Sequence, residues 1–198
     1  PWKRSDMSWM PKGRYKIMGE YMPKRGSLGL DMMLRTCTVQ ANFDYDSEET
    51  AVRMMRVACA ASPFVTAMFA NSPFVEGRPC GYASFRANVW LDVDPDRTGV
   101  PELVFEKGFG FDRWVEWALD VPMVFVRRRG GYVDPGGRTF RDFLAGALPG
   151  EAPTLADWED HLTTLFPEVR VKGVVEVRGA DACDHRMTKA LLAFWKGV

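Results

Sequence analysis

Between residues 34 and 45 the sequence reads LRTCTVQANFDY, with Thr36, Thr38, Gln40 and Asn42 in one register and Cys37, Val39, Ala41 and Phe43 in the other. That period of two predicts a strand over residues 33–44. Asn is depleted in strands, so Gln40 beside Asn42 asks for a reason. Uncharged amides and hydroxyls lining a cleft orient an ammonium or a carboxylate, or hold a metal-bound water; the alternative is a strand that is simply wet on one side. A second candidate is VVEVRGAD, where Glu176 and Arg178 project to one side and Asp181 follows. A strand carboxylate next to an arginine places a divalent-cation ligand beside an anion clamp. The competing reading is a surface ion pair of little energetic worth.

Arg86 lies in SFRANVW, a mixed apolar stretch expected to be extended. A buried, unpaired arginine is costly, so it needs an anion: either a substrate carboxylate or one of Asp92, Asp94 and Asp96. Those aspartates have the spacing of a Ca²⁺ loop, but Arg97 and Leu103 stand where such a loop needs Gly and Glu. Arg127, Arg128 and Arg129 precede two glycines and read as a charged hairpin tip, with phosphate binding as the sharper alternative. His161, on a helix among acids, reads as a surface residue, and neither it nor His185 has a Ser or Cys partner for nucleophilic catalysis. Trp195 is either core or a cleft wall.

The elements that must position these groups follow from periodicity. Residues 10–22 have helical spacing. Residues 46–70 form a long buried helix capped by Asp46 or Ser47, with Pro63 as a potential kink. Residues 110–120 are an amphipathic helix, 121–128 the most strand-like apolar run, and 169–179 a strand. Helices are expected over 140–146, over 154–166 with a Thr154–Asp157 capping box, and over the C-terminal 186–198. No glycine-rich loop opens a helix after a strand, so dinucleotide and P-loop folds are unsupported. The expected class is α+β: a curved, mostly antiparallel sheet with helices on one face, residues 1–198 forming one domain.

Lys and Arg together equal Asp and Glu at 26 each, which argues against a dedicated nucleic-acid binder. No apolar run nears the ~18 residues of a membrane span. Cys37, Cys59, Cys80 and Cys183 include no CxxC pair, and Cys37 and Cys59 sit in apolar stretches that read as reduced core, so an intracellular compartment is expected. The chain opens on Pro1 and closes on Val198 directly after an apolar helical run, which suggests a portion of a longer protein.

Longer words then appear in order along nearly the whole chain: MPKGRYKIM, YMPKRGSLGLDMMLRTCTVQANFD, AMFANSPFVEGRP, DPDRTG, FGFDRWVEWALDVPM, TFRDFLAG, DWEDHLTTLFPEVRVK, VEVRGAD and AFW. On these words the chain resembles the plant-type glutamate–cysteine ligases, which also occur in proteobacteria. The resemblance implies a glutamine-synthetase-like fold and an ATP- and Mg²⁺-dependent ligation of glutamate to cysteine, in the cytoplasm or, for a plant parent, in a plastid. It implies that Thr38, Gln40 and Asn42 line the active-site floor and that Arg86 clamps a glutamate carboxylate. Arg14 and Arg35 fall near substrates and nucleotide, Glu176 matches a Mg²⁺ ligand with Arg178 as its phosphate or carboxylate partner, and Trp195 walls the glutamate pocket.

Two departures stand out. Val124 occupies the place of a family tyrosine near the cysteine pocket, and ACDHRMTKALLAFW after Asp181 differs from the family's version. The first motivates a ligase with another acceptor amine. The family's metal-rich N-terminal portion has no counterpart here, so the 198 residues alone are expected to be inactive, and a non-catalytic glutamate- or nucleotide-binding module is the alternative from another class.

Overall fold

Alternation of valine with charge builds the central sheet. In the computed structural model, which describes residues 2–198, the elements in chain order are α1 (Gly13–Tyr21), α2 (Gly29–Arg35), β1 (Ala41–Phe43), α3 (Glu48–Met68), the hairpin of β2 (Phe74–Val75) and β3 (Arg78–Pro79), α4 (Phe85–Trp90), β4 (Thr98–Gly99), α5 (Phe111–Asp120), the hairpin of β5 (Val126–Arg128) and β6 (Gly131–Val133), α6 (Phe140–Leu144), α7 (Leu155–Leu162), β7 (Phe166–Pro167), β8 (Val169–Val171), β9 (Val175–Val177) and α8 (His185–Gly197). Strands β1, β9 and β8 form an antiparallel sheet in that order. Its register aligns Ala41, Val177 and Val169 on one side, and Asn42, Glu176 and Arg170 on the other. The valine face packs on Ala51, Met55, Ala58 and Cys59 of α3, with Val104, Phe109 and Trp114 completing the core. The α+β expectation holds, with the remaining strands divided among two antiparallel hairpins and the parallel pair β4–β7.

Several expected elements differ in extent. The strand foreseen over 33–44 is only β1, because Leu34 and Arg35 close α2 and the Thr36 hydroxyl donates to the Met32 carbonyl at 2.8 Å. Thr38 makes one isolated bridge to Asp181. Cys37 is exposed rather than core, whereas Cys59 is buried and its thiol is pushed up to about 12 by burial. The segment holding Arg86 is helical, not extended: the Ser84 hydroxyl caps α4 by accepting the Ala87 N–H. The strand foreseen over 169–179 is a hairpin, turned at Gly173 with φ +66°. Of 121–128 only Val126–Arg128 is a strand. Ser47 caps α3, which runs through Pro63, and the Thr154–Asp157 capping box forms at the start of α7. The three arginines do lead into the β5–β6 turn, with Arg127 paired to Asp160 and Arg128 to Asp157 and Glu151.

The aspartates of LDVDPDRTG serve the fold and not Arg86. Asp92 accepts from the Ser27 N–H and hydroxyl, Asp96 pairs with Arg25, and Asp94 and Arg97 form an ion pair with both side chains at 0% exposure. Arg97 Nε donates to Asp94 at 2.6 Å, Nη2 to the Tyr21 hydroxyl and the Pro122 carbonyl at 2.7 Å each, and Nη1 to the Thr164 carbonyl and hydroxyl at 3.3 Å. Burial pushes the Asp94 carboxyl up, but Arg97 outweighs it and holds the group below the usual carboxylate range. His161 is buried, not a surface residue: its Nε2 donates to the Ala118 carbonyl at 2.8 Å, so Nδ1 carries the lone pair, and Phe140 and Trp158 flank the ring.

Breaking a buried pair strands a charge, so Arg97→Ala is expected to cost about 3–5 kcal/mol, read as a lower urea midpoint at unchanged slope; a loss below about 1 kcal/mol would show that the pair is dispensable. Burial lowers His161 from 6.5 to about 4. Between those values the unfolded chain binds more protons, so stability falls as pH drops through that window. A His161→Gln variant is expected to show a flatter stability profile there than the parent; parallel profiles would contradict the buried neutral imidazole.

Candidate active site

The polar face of β1–β9–β8 gathers charge that the sheet register makes unavoidable. Arg170 is the cross-strand neighbour of Glu176, which in turn faces Asn42. Glu176 Oε2 accepts from Arg170 Nε at 2.9 Å and from Arg178 Nη1 at 2.7 Å. Burial raises Glu176, but Arg170 and Arg178 together hold it below the usual carboxylate range. Arg170 also donates to the Leu165 carbonyl at 2.9 Å, and Arg178 lies 3.5 Å from Gln40 Oε1. Gln40 and Asn42 are exposed beside this triad. Arg14, from α1, stacks 5.9 Å from the Phe125 ring centre; its buried Nε lacks a hydrogen-bond partner and its charge reaches Arg170. Arg14, Arg170 and Arg178 against Glu176 leave this face electropositive. It suits carboxylate or phosphate groups.

Behind the triad the backbone of Arg178 and Gly179 is clamped. Arg86 is 5% exposed; its Nη2 donates to the Arg178 carbonyl at 2.8 Å and its Nη1 to the Gly179 carbonyl at 3.0 Å. The Thr38 hydroxyl donates to the Arg178 and Ala180 carbonyls at 3.1 and 2.7 Å. Asp181 accepts from the Asn71 N–H and the Ser72 hydroxyl at 2.7 Å each and from the Ser84 hydroxyl at 2.8 Å, tying the start of α4 to the same segment. Arg86 and Thr38 thus reach the site through main-chain carbonyls.

The structure therefore brings together Arg14, Gln40, Asn42, Glu176 and Arg178 on or near one face, with Thr38 and Arg86 beneath it. The other three residues belong elsewhere. Arg35 pairs with Asp31 and with Glu76, beside a surface hollow that also includes Lys3, Arg4 and Trp9. Val124 is buried with Met18, Met22, Val89, Val93 and Phe125. Trp195 packs against the apolar clusters on α3 and α8, edge-on to Phe194. Sequence reading missed Arg170; its signal was the Val169–Arg170–Val171 alternation, which becomes decisive once Gly173 is recognised as the turn that folds Arg170 onto Glu176.

The donor set does not by itself fit a Mg²⁺ ion. Glu176 is already shared by two guanidiniums, and among the described residues no three His, Cys, Asp or Glu side chains converge as a metal site.

Comparison with known proteins bears on what this face serves. The description "Glutamate-cysteine ligase family 2 (GCS2)" matches residues 1–198. The chain is 58% identical over 200 residues to a chloroplastic glutamate–cysteine ligase of Medicago truncatula and to one of Brassica juncea, covering 100% of this chain and 39% of each relative. It is 56% identical to the chloroplastic enzyme of Arabidopsis thaliana, covering 38% of that protein. The chain thus spans about two fifths of the length of these relatives. With the match extending from the first residue to the last, the chain belongs to glutamate–cysteine ligase family 2.

Proposed function

We propose that this chain is part of an ATP-dependent glutamate–cysteine ligase and supplies its guanidinium-rich wall. The observation that carries the reading is the family match over all 198 residues, which coincides with an electropositive face built by Arg14, Arg170 and Arg178. In the ligation ATP phosphorylates the γ-carboxylate of glutamate. The cysteine amine then attacks that carbonyl carbon, phosphate leaves, and γ-glutamylcysteine, the precursor of glutathione, forms. ATP, glutamate and the acyl phosphate are anionic, and cysteine carries a carboxylate. Arginines fixed before the substrate arrives stabilise such charge without reorganising during the reaction. Gln40 and Asn42 offer neutral hydrogen-bonding tips at the same face, suited to orientation. Mg²⁺, which would neutralise phosphate charge, needs ligands beyond Glu176, whose Oε2 is committed to two arginines. The names of the relatives support a plastid location. No helix among the described residues is long and apolar enough to cross a membrane.

A second reading, a ligase with a different acceptor amine, rests on Val124, which is 3% exposed. A valine there removes a hydroxyl from the sequence, but its burial in the core gives that change no direct route to the polar face.

The test is ATP hydrolysis coupled to γ-glutamylcysteine formation by the longer protein carrying this chain. Turnover with cysteine is expected, with Arg178→Ala lowering kcat by about 10²–10³, as loss of one preorganised donor does. The 198-residue chain alone is expected to give none. Turnover with another amine but not cysteine would favour the second reading. Glutamate binding without any turnover would replace both with a non-catalytic module.

A further inference from the structure

Glu168 was absorbed by no reading of the sequence, and its surroundings are unusual. It lies between β7 and β8, where its N–H donates to the Gly99 carbonyl at 2.8 Å and its carbonyl accepts the Arg178 N–H at 3.0 Å. Its side chain turns into a narrow crevice lined by Arg86, Trp90, Phe166, Pro167 and Arg178. There Oε2 is buried without a hydrogen-bond partner, as are Arg86 Nε and Trp90 Nε1. The carboxylate lies so close to Gly179 that a Cβ at that position would meet Oε2 at 2.6 Å, so the residue after Arg178 must lack a side chain for Glu168 to sit there. An ionisable group kept inside at such cost has neighbours that need it.

Those neighbours are identified by counting acceptors. Arg86, Arg170 and Arg178 face Glu168, Glu176 and Asp181. Asp181 is occupied by Asn71, Ser72 and Ser84, and Glu176 by Arg170 and Arg178. Glu168 is the carboxylate left uncommitted. Arg86, whose burial disfavours its cation, draws support first from Glu168 and then from Asp181.

We propose that Glu168 is a positioning residue of the site: its carboxylate is the counter-charge that keeps Arg86 seated on the Arg178 and Gly179 carbonyls, and so fixes where Arg178 presents its guanidinium to an anionic substrate. The carboxylate and Arg86 line the same crevice without forming an ion pair, so their link is electrostatic across a short gap. The Glu168 main-chain carbonyl accepts the Arg178 N–H, its carboxylate balances Arg86 electrostatically, and Arg86 donates to the Arg178 carbonyl from the other side. This deepens the ligase reading and rests on it.

The charge is also titratable. Burial raises the Glu168 carboxyl, opposed by Arg86 and Arg178. The groups around it are Arg86 and Trp90 from α4, Arg178 after β9, and Cys59 and Thr66 from α3. Arginines stay charged, tryptophan and threonine do not titrate, and the Cys59 thiol is pushed up to about 12. Asp181, which also supports Arg86, accepts from Asn71, Ser72 and Ser84. An acid-side limb in substrate binding that disappears when Glu168 alone is neutralised therefore belongs to Glu168.

The test uses the longer protein carrying this chain, with Glu168→Gln and Glu168→Asp, reading glutamate and ATP dissociation constants by calorimetry beside KM, kcat and their pH profiles. Glu168→Gln keeps the shape and removes the charge. It is expected to fold and to lose about 10- to 100-fold in kcat/KM, the scale of a misplaced group near the chemistry. The loss should appear mainly in KM and in the dissociation constant. Glu168→Asp should recover part of it. The wild type should bind more weakly as pH falls through a value above the ordinary glutamate range of about 4.3, and that limb should vanish in Glu168→Gln. Wild-type binding and an intact acid limb in Glu168→Gln would overturn the proposal. So would equal losses of binding and melting temperature in both variants, which would make Glu168 packing alone. Should Glu168→Gln not fold, Glu168→Asp decides: an acid limb displaced from the wild-type one supports the role, and a limb that does not move overturns it. A wild type that binds both substrates but never turns over refutes the ligase reading while leaving this role measurable in the dissociation constants; one that binds neither overturns this proposal too.

Discussion

The buried contact between Asp94 and Arg97 is the constraint on which the rest of the structure depends. A guanidinium carries five N–H donors and no acceptor, so burying one obliges the fold to supply five acceptors in a plane. Asp94, the Tyr21 hydroxyl, the Pro122 carbonyl, and the Thr164 carbonyl and hydroxyl do so. They come from the stretch after α4, from α1, from the stretch after α5 and from the turn after α7. Once Arg97 is satisfied, the next residues can pair β4 with β7, and the Phe166 and Glu168 N–H groups reach the Arg97 and Gly99 carbonyls. That pairing sets where β8 begins, and hence where Arg170 stands.

A second arrangement is built on the first. The β8–β9 hairpin turns one side of its valines onto α3 and the other side of its charges outward. Covalent alternation makes the two faces inseparable: a one-residue slip would bury Arg170 and Glu176 and expose Val169 and Val177. The apolar core therefore fixes the register of the polar face. The chemistry-bearing side needs no separate folding instruction beyond its clamps at Thr38, Arg86 and Asp181.

Sequence reading succeeded where a local rule decides the outcome. The Ser47 cap, the Thr154–Asp157 capping box, the amphipathic α5 and the shared side of Glu176 and Arg178 all depend on neighbours within a few residues. It erred where partners are distant. Period two over 33–44 could not reveal that Leu34 and Arg35 finish a helix packed beside Met22. The acidic run 92–96 looked like an anion source for Arg86 because Arg25 and Arg97 were invisible as its partners. His161 looked wet because its helix is rich in acids, yet its own face turns to Phe140, Trp158 and the Ala118 carbonyl. Val124 and Trp195, brought in by family resemblance, lie in apolar clusters, where shape rather than polarity sets their role.

The Asp181 carboxylate has a consequence for how the molecule assembles. Its three bonds close loops of 110, 109 and 97 residues, and the Thr38 hydroxyl spans 140 and 142 residues to its two carbonyls. Contacts of such separation form only after the entropy of loop closure has been met, so topologies that rely on them fold slowly. Helix α3 and the β8–β9 hairpin are local, and the hairpin brings Arg170 and Glu176 with it; Arg14 and the clamps at Thr38, Arg86 and Asp181 come from distant parts of the chain. The Arg170–Glu176 contact is itself local, six residues apart, whereas the bonds that hold the backbone from Arg178 to Ala180 in place span 92 to 142 residues. A ligand that needs the complete face binds the native state and stabilises it by mass action.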